Sequence, residues 1–104
     1  MAKIIFVSSP FSGNVERNII KARDYCRYVV DRNHIPLAPH LLFPQFMDDS
    51  NLEERSKAIG FGLELLKLCD EVWVFGDTIS SGMEEEMEFA KRIDKAIKYI
   101  GEIL

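Results

Sequence analysis

Apolar residues along this chain arrive in two alternating rhythms: short unbroken runs, and longer stretches in which they recur every three or four positions. Lys3 to Ser8 (Lys-Ile-Ile-Phe-Val-Ser) is a β-branched run that predicts a buried strand. Ser9-Pro10-Phe11-Ser12-Gly13 has turn chemistry, and Asn14 is a suitable helix cap. From there Val15, Ile19, Ala22, Cys26, Val29 and Val30 share one helical face, while Glu16, Arg23, Arg27 and Asp31 fall elsewhere. Ile35 to Ala38 predicts a second, brief strand. Pro39 to Asn51, with two prolines and Asp48-Asp49-Ser50-Asn51, predicts a loop too long to be a mere connector.

Leu52 to Cys69 predicts a helix with a wide apolar arc. Ala58, Phe61, Leu65 and Leu68 make one face, and Ile59, Leu63 and Leu66 extend it, so the helix should be covered on two sides. Glu71 to Phe75 predicts a third strand and Lys95 to Ile100 a fourth. Strands that alternate with helices imply right-handed crossovers and a parallel sheet. The expected fold is α/β, a three-layer flavodoxin-like (Rossmann-like) sandwich with four to five parallel strands in the order 2-1-3-4. Sites in such sheets lie beyond the carboxyl ends of the strands. Two loops qualify, Ser8 to Gly13 and Gly76 to Gly82.

The helix after the second loop carries the most informative residue. Ser81 is a natural N-cap, with Glu84 three residues on to close a capping box. At about 100° per residue, Met83, Met87, Phe89, Ala90 and Ile93 form an apolar arc, with Glu84, Glu85, Glu88 and Arg92 opposite. Glu86 falls inside the apolar arc, between Phe89 and Ala90. A carboxylate turned towards a core must be paired, hydrogen-bonded or working; the plainer reading is a first-turn acid favoured by the helix dipole. Ser80-Ser81-Gly82-Met83 brings two hydroxyls, a glycine and a helix N-terminus to one point. That suits an anionic group as well as an ordinary capping turn. The chain has neither a Walker loop nor a GxGxxG.

At 104 residues, 47% hydrophobic and 29% charged, the chain fits one globular domain over residues 1–104. A net charge of -4, with no basic run longer than two residues, lacks the electrostatic footprint of a duplex-binding protein and so argues against a polynucleotide partner, though not against a single nucleotide or nucleoside. Cys26 and Cys69 lie far apart with no CxxC, and read as reduced core residues rather than a disulfide or metal site. No segment approaches a membrane span or a secretory h-region, so a cytoplasmic protein with no membrane partner is expected. Nothing in the sequence asks for a metal or cofactor.

Together these pieces resemble the nucleoside 2-deoxyribosyltransferase superfamily, which includes nucleotide N-glycosidases. The marks are Phe6-Val7-Ser8-Ser9-Pro10-Phe11, the run Cys69 to Gly76 with Asp70 before the strand, and Gly82 to Ala90 with its Gly-x-x-x-Glu-x-x-x-Ala spacing. The similarity spans the chain and looks closest to a short branch of uncharacterised, DUF4406-like domains, with Pro36 to His40 and Trp73 to Gly76 as further marks. It implies that Glu86 attacks the anomeric carbon of a nucleoside or nucleoside 5′-monophosphate, giving hydrolysis or base transfer. It implies substrate contacts from Ser8, Ser9, Pro10, Phe11, His40, Gly76 and Asp77, with Ser80, Ser81, Gly82 and Met83 around a phosphate.

Two departures stand out. The tyrosine that orients the nucleophile in the family is replaced by Phe6, and the second acid has no counterpart in pattern, Glu64 and Asp77 being candidates. Asp70, at the other end of its strand, reads as structural. His40 follows the second strand and, with Pro39 and Phe43, suits a base pocket; His34 sits in a turn and reads as surface. Phe11 suits either stacking on a base or burial in its loop, and Arg55 either a phosphate or pairing with Asp48 or Asp49. The alternative function is a non-catalytic nucleotide sensor or sequestering domain. A homodimer or higher homo-oligomer is expected, built on the surplus apolar face of Ile59, Leu63 and Leu66.

Overall fold

The computed structural model describes residues 1–103. Strands β1 (Ile4–Ser8), β2 (Ile35–Leu37), β3 (Glu71–Phe75) and β4 (Ala96–Gly101) form one parallel sheet in the order β2-β1-β3-β4. Helix α1 (Val15–Asp31) links β1 to β2, and α4 (Ser81–Arg92) links β3 to β4. Between β2 and β3 come a short helix α2 (Pro39–Leu42), a 3₁₀ turn (Phe43–Gln45) and the long helix α3 (Leu52–Leu68).

Period-two alternation along β1 divides the core. Ile5 and Val7 pack with Tyr25, Val29, Ala38, Trp73 and Phe75 on one face. Phe6 packs with Leu66, Cys69, Val72, Val74, Met83 and Ala90 on the other. The fold is therefore the expected α/β arrangement, with α1 and α2 on one side and α3 and α4 on the other.

Side chains define the helix ends. Asn14 caps α1 by accepting from the Arg17 N–H, and Asn51 caps α3 by accepting from Glu53 and Glu54. For α4 the cap is Ser80, whose Oγ accepts from the Met83 N–H at 3.2 Å, so Ser81 is the first helical residue and not the cap. The expected box with Glu84 does not form; the Ser80 N–H instead approaches the Met83 sulfur at 3.5 Å. Asp70 ties the lower end of the sheet together, its Oδ2 accepting from the Ile4 N–H at 2.7 Å.

Three other expectations are corrected. Pro39 to Asn51 is not a plain loop, because Pro39 opens one helical turn and Pro44 is the second residue of the next, positions where a missing N–H has no cost. The inward face of α1 is set by Ala22, Tyr25 and Val29, while Val15 and Val30 are exposed. On α3 the buried residues are Gly62 and Leu66, whereas Phe61 and Leu68 face outward. Leu66 thus belongs to the core and is not surplus. Cys26 is half-buried and Cys69 buried, both as free thiols held up near 11 by burial.

Candidate functional site

Beyond the carboxyl end of β1, a cleft opens between the α2 region, α3 and the N-terminus of α4. Helix α3 passes Pro39 at the buried Gly62, where an added Cβ would stand at an ordinary contact distance of 3.7 Å from the Pro39 ring. Ser9, Phe11, His40, Ser80, Ser81, Gly82, Met83 and Glu86 all line this cleft. The structure thus gathers eight of the twelve residues that the sequence nominated.

Glu86 reaches the cleft from the inward side of α4, between the buried Met83 and Ala90. Ser8, fully buried, donates its hydroxyl to Glu86 Oε1 at 2.7 Å. Ser8 shares the Phe6 side of β1, so a hydroxyl two residues further on reaches the carboxylate that Phe6, lacking an oxygen, cannot. Burial pushes the Glu86 carboxyl up to about 7; the Ser8 hydrogen bond offsets part of this, and the nearby Glu85 charge adds to it. Glu86 therefore changes charge near neutral pH.

The next residue gathers a second titratable group. Ser9 Oγ lies 2.7 Å from His40 Nε2, with Ser9 buried and His40 fixed on the short α2. Burial lowers the His40 imidazolium to about 4, so the ring is neutral at physiological pH. Consecutive serines at the end of one strand thus hold an acid and a base, each biased towards its uncharged form.

The remaining nominees go elsewhere. Ser8 lies behind the cleft wall. Pro10, Gly76 and Asp77 line a separate polar cavity on the other side of the Ser9 to Gly13 turn, with Tyr25, Lys21 and Glu102. Gly76 belongs to that junction because of its backbone: its φ is +95°, a conformation that a residue with a side chain rarely adopts. In that cavity Glu102 accepts from Tyr25 and pairs with Lys21 at 3.0 Å. Glu64 pairs with Lys67 at 3.0 Å on the exposed side of α3. Neither proposed second acid, Glu64 or Asp77, lines the Glu86 cleft.

Other charged groups do line it. Glu85, assigned from periodicity to the solvent face, borders the cleft, as do Asp49 and Arg55. Helical side chains lean back towards the N-terminus of their helix, so one in the second turn can border the space before it, which a helical-wheel count misses. Asp48 accepts from the N–H and hydroxyl of Ser50, and among the described residues Arg55 makes no ion pair within 4.0 Å. His34 accepts from the Lys3 N–H and sets its ring edge-on to Trp73, a structural role. Among the described residues no group of three or more His, Cys, Asp or Glu is placed to hold a metal ion, and no helix is long and apolar enough to cross a membrane.

Residues 3–100 match a family described as a domain of unknown function (DUF7768); this is not the DUF4406-like branch expected from the sequence. No curated protein matches the chain. Among solved structures, the chain is similar to a 2-deoxyribosyltransferase from the psychrotolerant bacterium Bacillus psychrosaccharolyticus. The TM-score is 0.70 at 21% identity, over 94% of this chain and 72% of that one. It is also similar to a 2-deoxyribosyltransferase from Leishmania mexicana, with a TM-score of 0.65 at 14% identity, over 95% of this chain and 64% of that one. At these identities the likeness is one of fold.

Proposed function

This chain belongs to the DUF7768 family, and we propose that it cleaves or transfers the N-glycosidic bond of a nucleoside or nucleoside 5′-monophosphate with Glu86 as nucleophile. The observation that carries the reading is a single carboxylate, turned inward from α4, opening on the cleft and fixed by Ser8 at 2.7 Å. The deoxyribosyltransferase-like fold supports it by placing this cleft where open α/β sheets bind ligands.

In the first step a Glu86 oxygen bonds to the anomeric carbon while the carbon–nitrogen bond breaks, its electron pair leaving with the base, which then takes a proton. In the second step water or another base attacks the same carbon, loses a proton and frees the Glu86 carboxylate. Ser8 restrains the carboxylate, so less freedom is lost in reaching the attacking geometry. The N-terminus of α4, with Ser80, Ser81 and Gly82 at the cleft and Arg55 at its border, suits a 5′-phosphate. The substrate fits a cytoplasmic protein. Incubation with a panel of nucleosides and nucleotides, scanned for free base, tests the reading.

The second reading is a nucleotide-binding domain without turnover. It is favoured by Glu64 and Asp77 lying outside the cleft, which leaves no assigned proton donor for the departing base. Ligand-dependent thermal stabilisation without base release would select it.

We also propose a homodimer or higher homo-oligomer built on the outer side of α3. Phe61 is 46% and Phe46 67% exposed, and Phe43 packs against both rings, so an aromatic patch borders the cleft beside the exposed Ile59. A second copy covering this patch would also close one side of the site.

A further inference from the structure

Ser8 and Ser9 are consecutive, yet their partners come from opposite sides of the sheet: Ser8 bonds Glu86 on α4, and Ser9 bonds His40 on α2. Ser9 and His40 both line the Glu86 cleft, and Ser9 Oγ meets His40 Nε2 at 2.7 Å. The two steps at Glu86 use neither residue. We propose that Ser9, with His40 behind it, relays the proton that the acceptor loses in the second step. This inference rests on the function proposed above.

Stereochemistry asks for such a group opposite the nucleophile. A carboxylate attacks one face of the sugar, so the base leaves, and the acceptor arrives, on the other face. In retaining sites the proton-transferring group therefore stands across the anomeric carbon, about 5 to 5.5 Å from the nucleophile. Successive side chains at the end of a strand point to opposite faces, and here one side holds a carboxylate and the other a hydroxyl–imidazole pair. The other carboxylates of the cleft fit this place less well: Glu85 stands on the nucleophile's own helix, and both it and Asp49 are exposed.

The proton path balances. Water oxygen bonds to the anomeric carbon while the carbon–Glu86 bond breaks, its electron pair returning to the carboxylate. A water proton passes to Ser9 Oγ as the Ser9 proton passes to His40 Nε2. The imidazolium so formed releases its proton to solvent, from which the base freed in the first step takes one. An acceptor base loses its ring N–H proton along the same path. His40 Nε2 begins as the acceptor, with the ring proton on Nδ1. Burial keeps the ring from holding a second proton at neutral pH, so Nε2 is available.

The test follows free base by rapid quench, and protein mass, on the nucleoside or nucleotide that wild type cleaves fastest. In Ser9→Ala and in His40→Gln the first step should survive. A stoichiometric burst of base should appear, a sugar adduct on Glu86 should accumulate, and steady turnover should fall by about 100-fold or more. Azide, a nucleophile with no proton to remove, should restore turnover in both variants and yield the glycosyl azide. Loss of the burst along with turnover, turnover at the wild-type rate, or turnover that azide does not restore would overturn the proposal. If circular dichroism shows one variant unfolded, the other decides. No base release by wild type on any nucleoside or nucleotide would instead remove the parent reading, and this one with it.

Discussion

Ser8 donates to Glu86 across 78 positions of sequence, joining the last residue of β1 to the second turn of α4 at 2.7 Å. Ser8 is fully buried, so its hydroxyl has no competing role towards solvent or ligand. Ser8→Ala should therefore lower kcat more than it raises KM. With its donor lost, the Glu86 carboxyl should titrate still higher, moving the acidic limb of the pH–rate profile upward. An unchanged limb would show that the bond does not tune the carboxylate.

The charge state of Glu86 also links stability to pH. Its folded value, about 7, lies above the ordinary carboxyl value of 4.5, so its full contribution is present below about 4.5 and is lost as pH rises through 7. Glu86→Gln should accordingly match wild type in stability near pH 4 and exceed it at pH 8, by up to about 3 kcal/mol. Denaturant titrations at the two pH values measure the difference. A variant less stable at pH 8 would show that the carboxylate is better compensated than the cleft geometry implies.

His40 acts in the opposite sense. Its folded value of about 4 lies below the ordinary imidazole value of 6.5, so the neutral ring's contribution is present above 6.5 and is lost as pH falls through 4. His40→Gln should flatten the acid limb of the stability curve between those values. A curve that keeps its shape would mean that the ring is hydrated in solution.

Ser80 and Ser81 separate capping from binding. Ser80→Ala removes the acceptor for the Met83 N–H and should cost about 1 kcal/mol. Ser81→Ala should leave stability nearly unchanged and weaken a 5′-monophosphate more than its nucleoside. Equal losses for both ligands would remove Ser81 from the phosphate site.

The strands were legible because their apolar runs are short, β-branched and punctuated; Glu71–Phe75 falls where the pattern places it. Glu86 was legible because one acid stood in an apolar arc. What periodicity could not resolve was which sector of a nearly all-apolar helix faces the sheet. On α3 Gly62 and Leu66 turn inward and Phe61 outward. The cap moved from Ser81 to Ser80 because either serine fits the local pattern and the tertiary position of Met83 decides. The two loops were legible as the functional edge, but not that the Ser9 to Gly13 turn separates two cavities and places Asp77 in the other one.

The oligomer is tested on the corrected face. Sedimentation at micromolar concentration should show a dimer or larger species, and Phe61→Glu should yield a 12.0 kDa monomer with its fold retained. A wild-type monomer would leave the aromatic patch as a cleft wall alone.

The most direct test of the central claim compares base release by wild type and Glu86→Gln on the nucleoside or nucleotide that wild type cleaves fastest. The account predicts steady release of free base by wild type, and loss of at least about 1,000-fold in the variant while ligand binding persists. Turnover by Glu86→Gln close to that of wild type would contradict it.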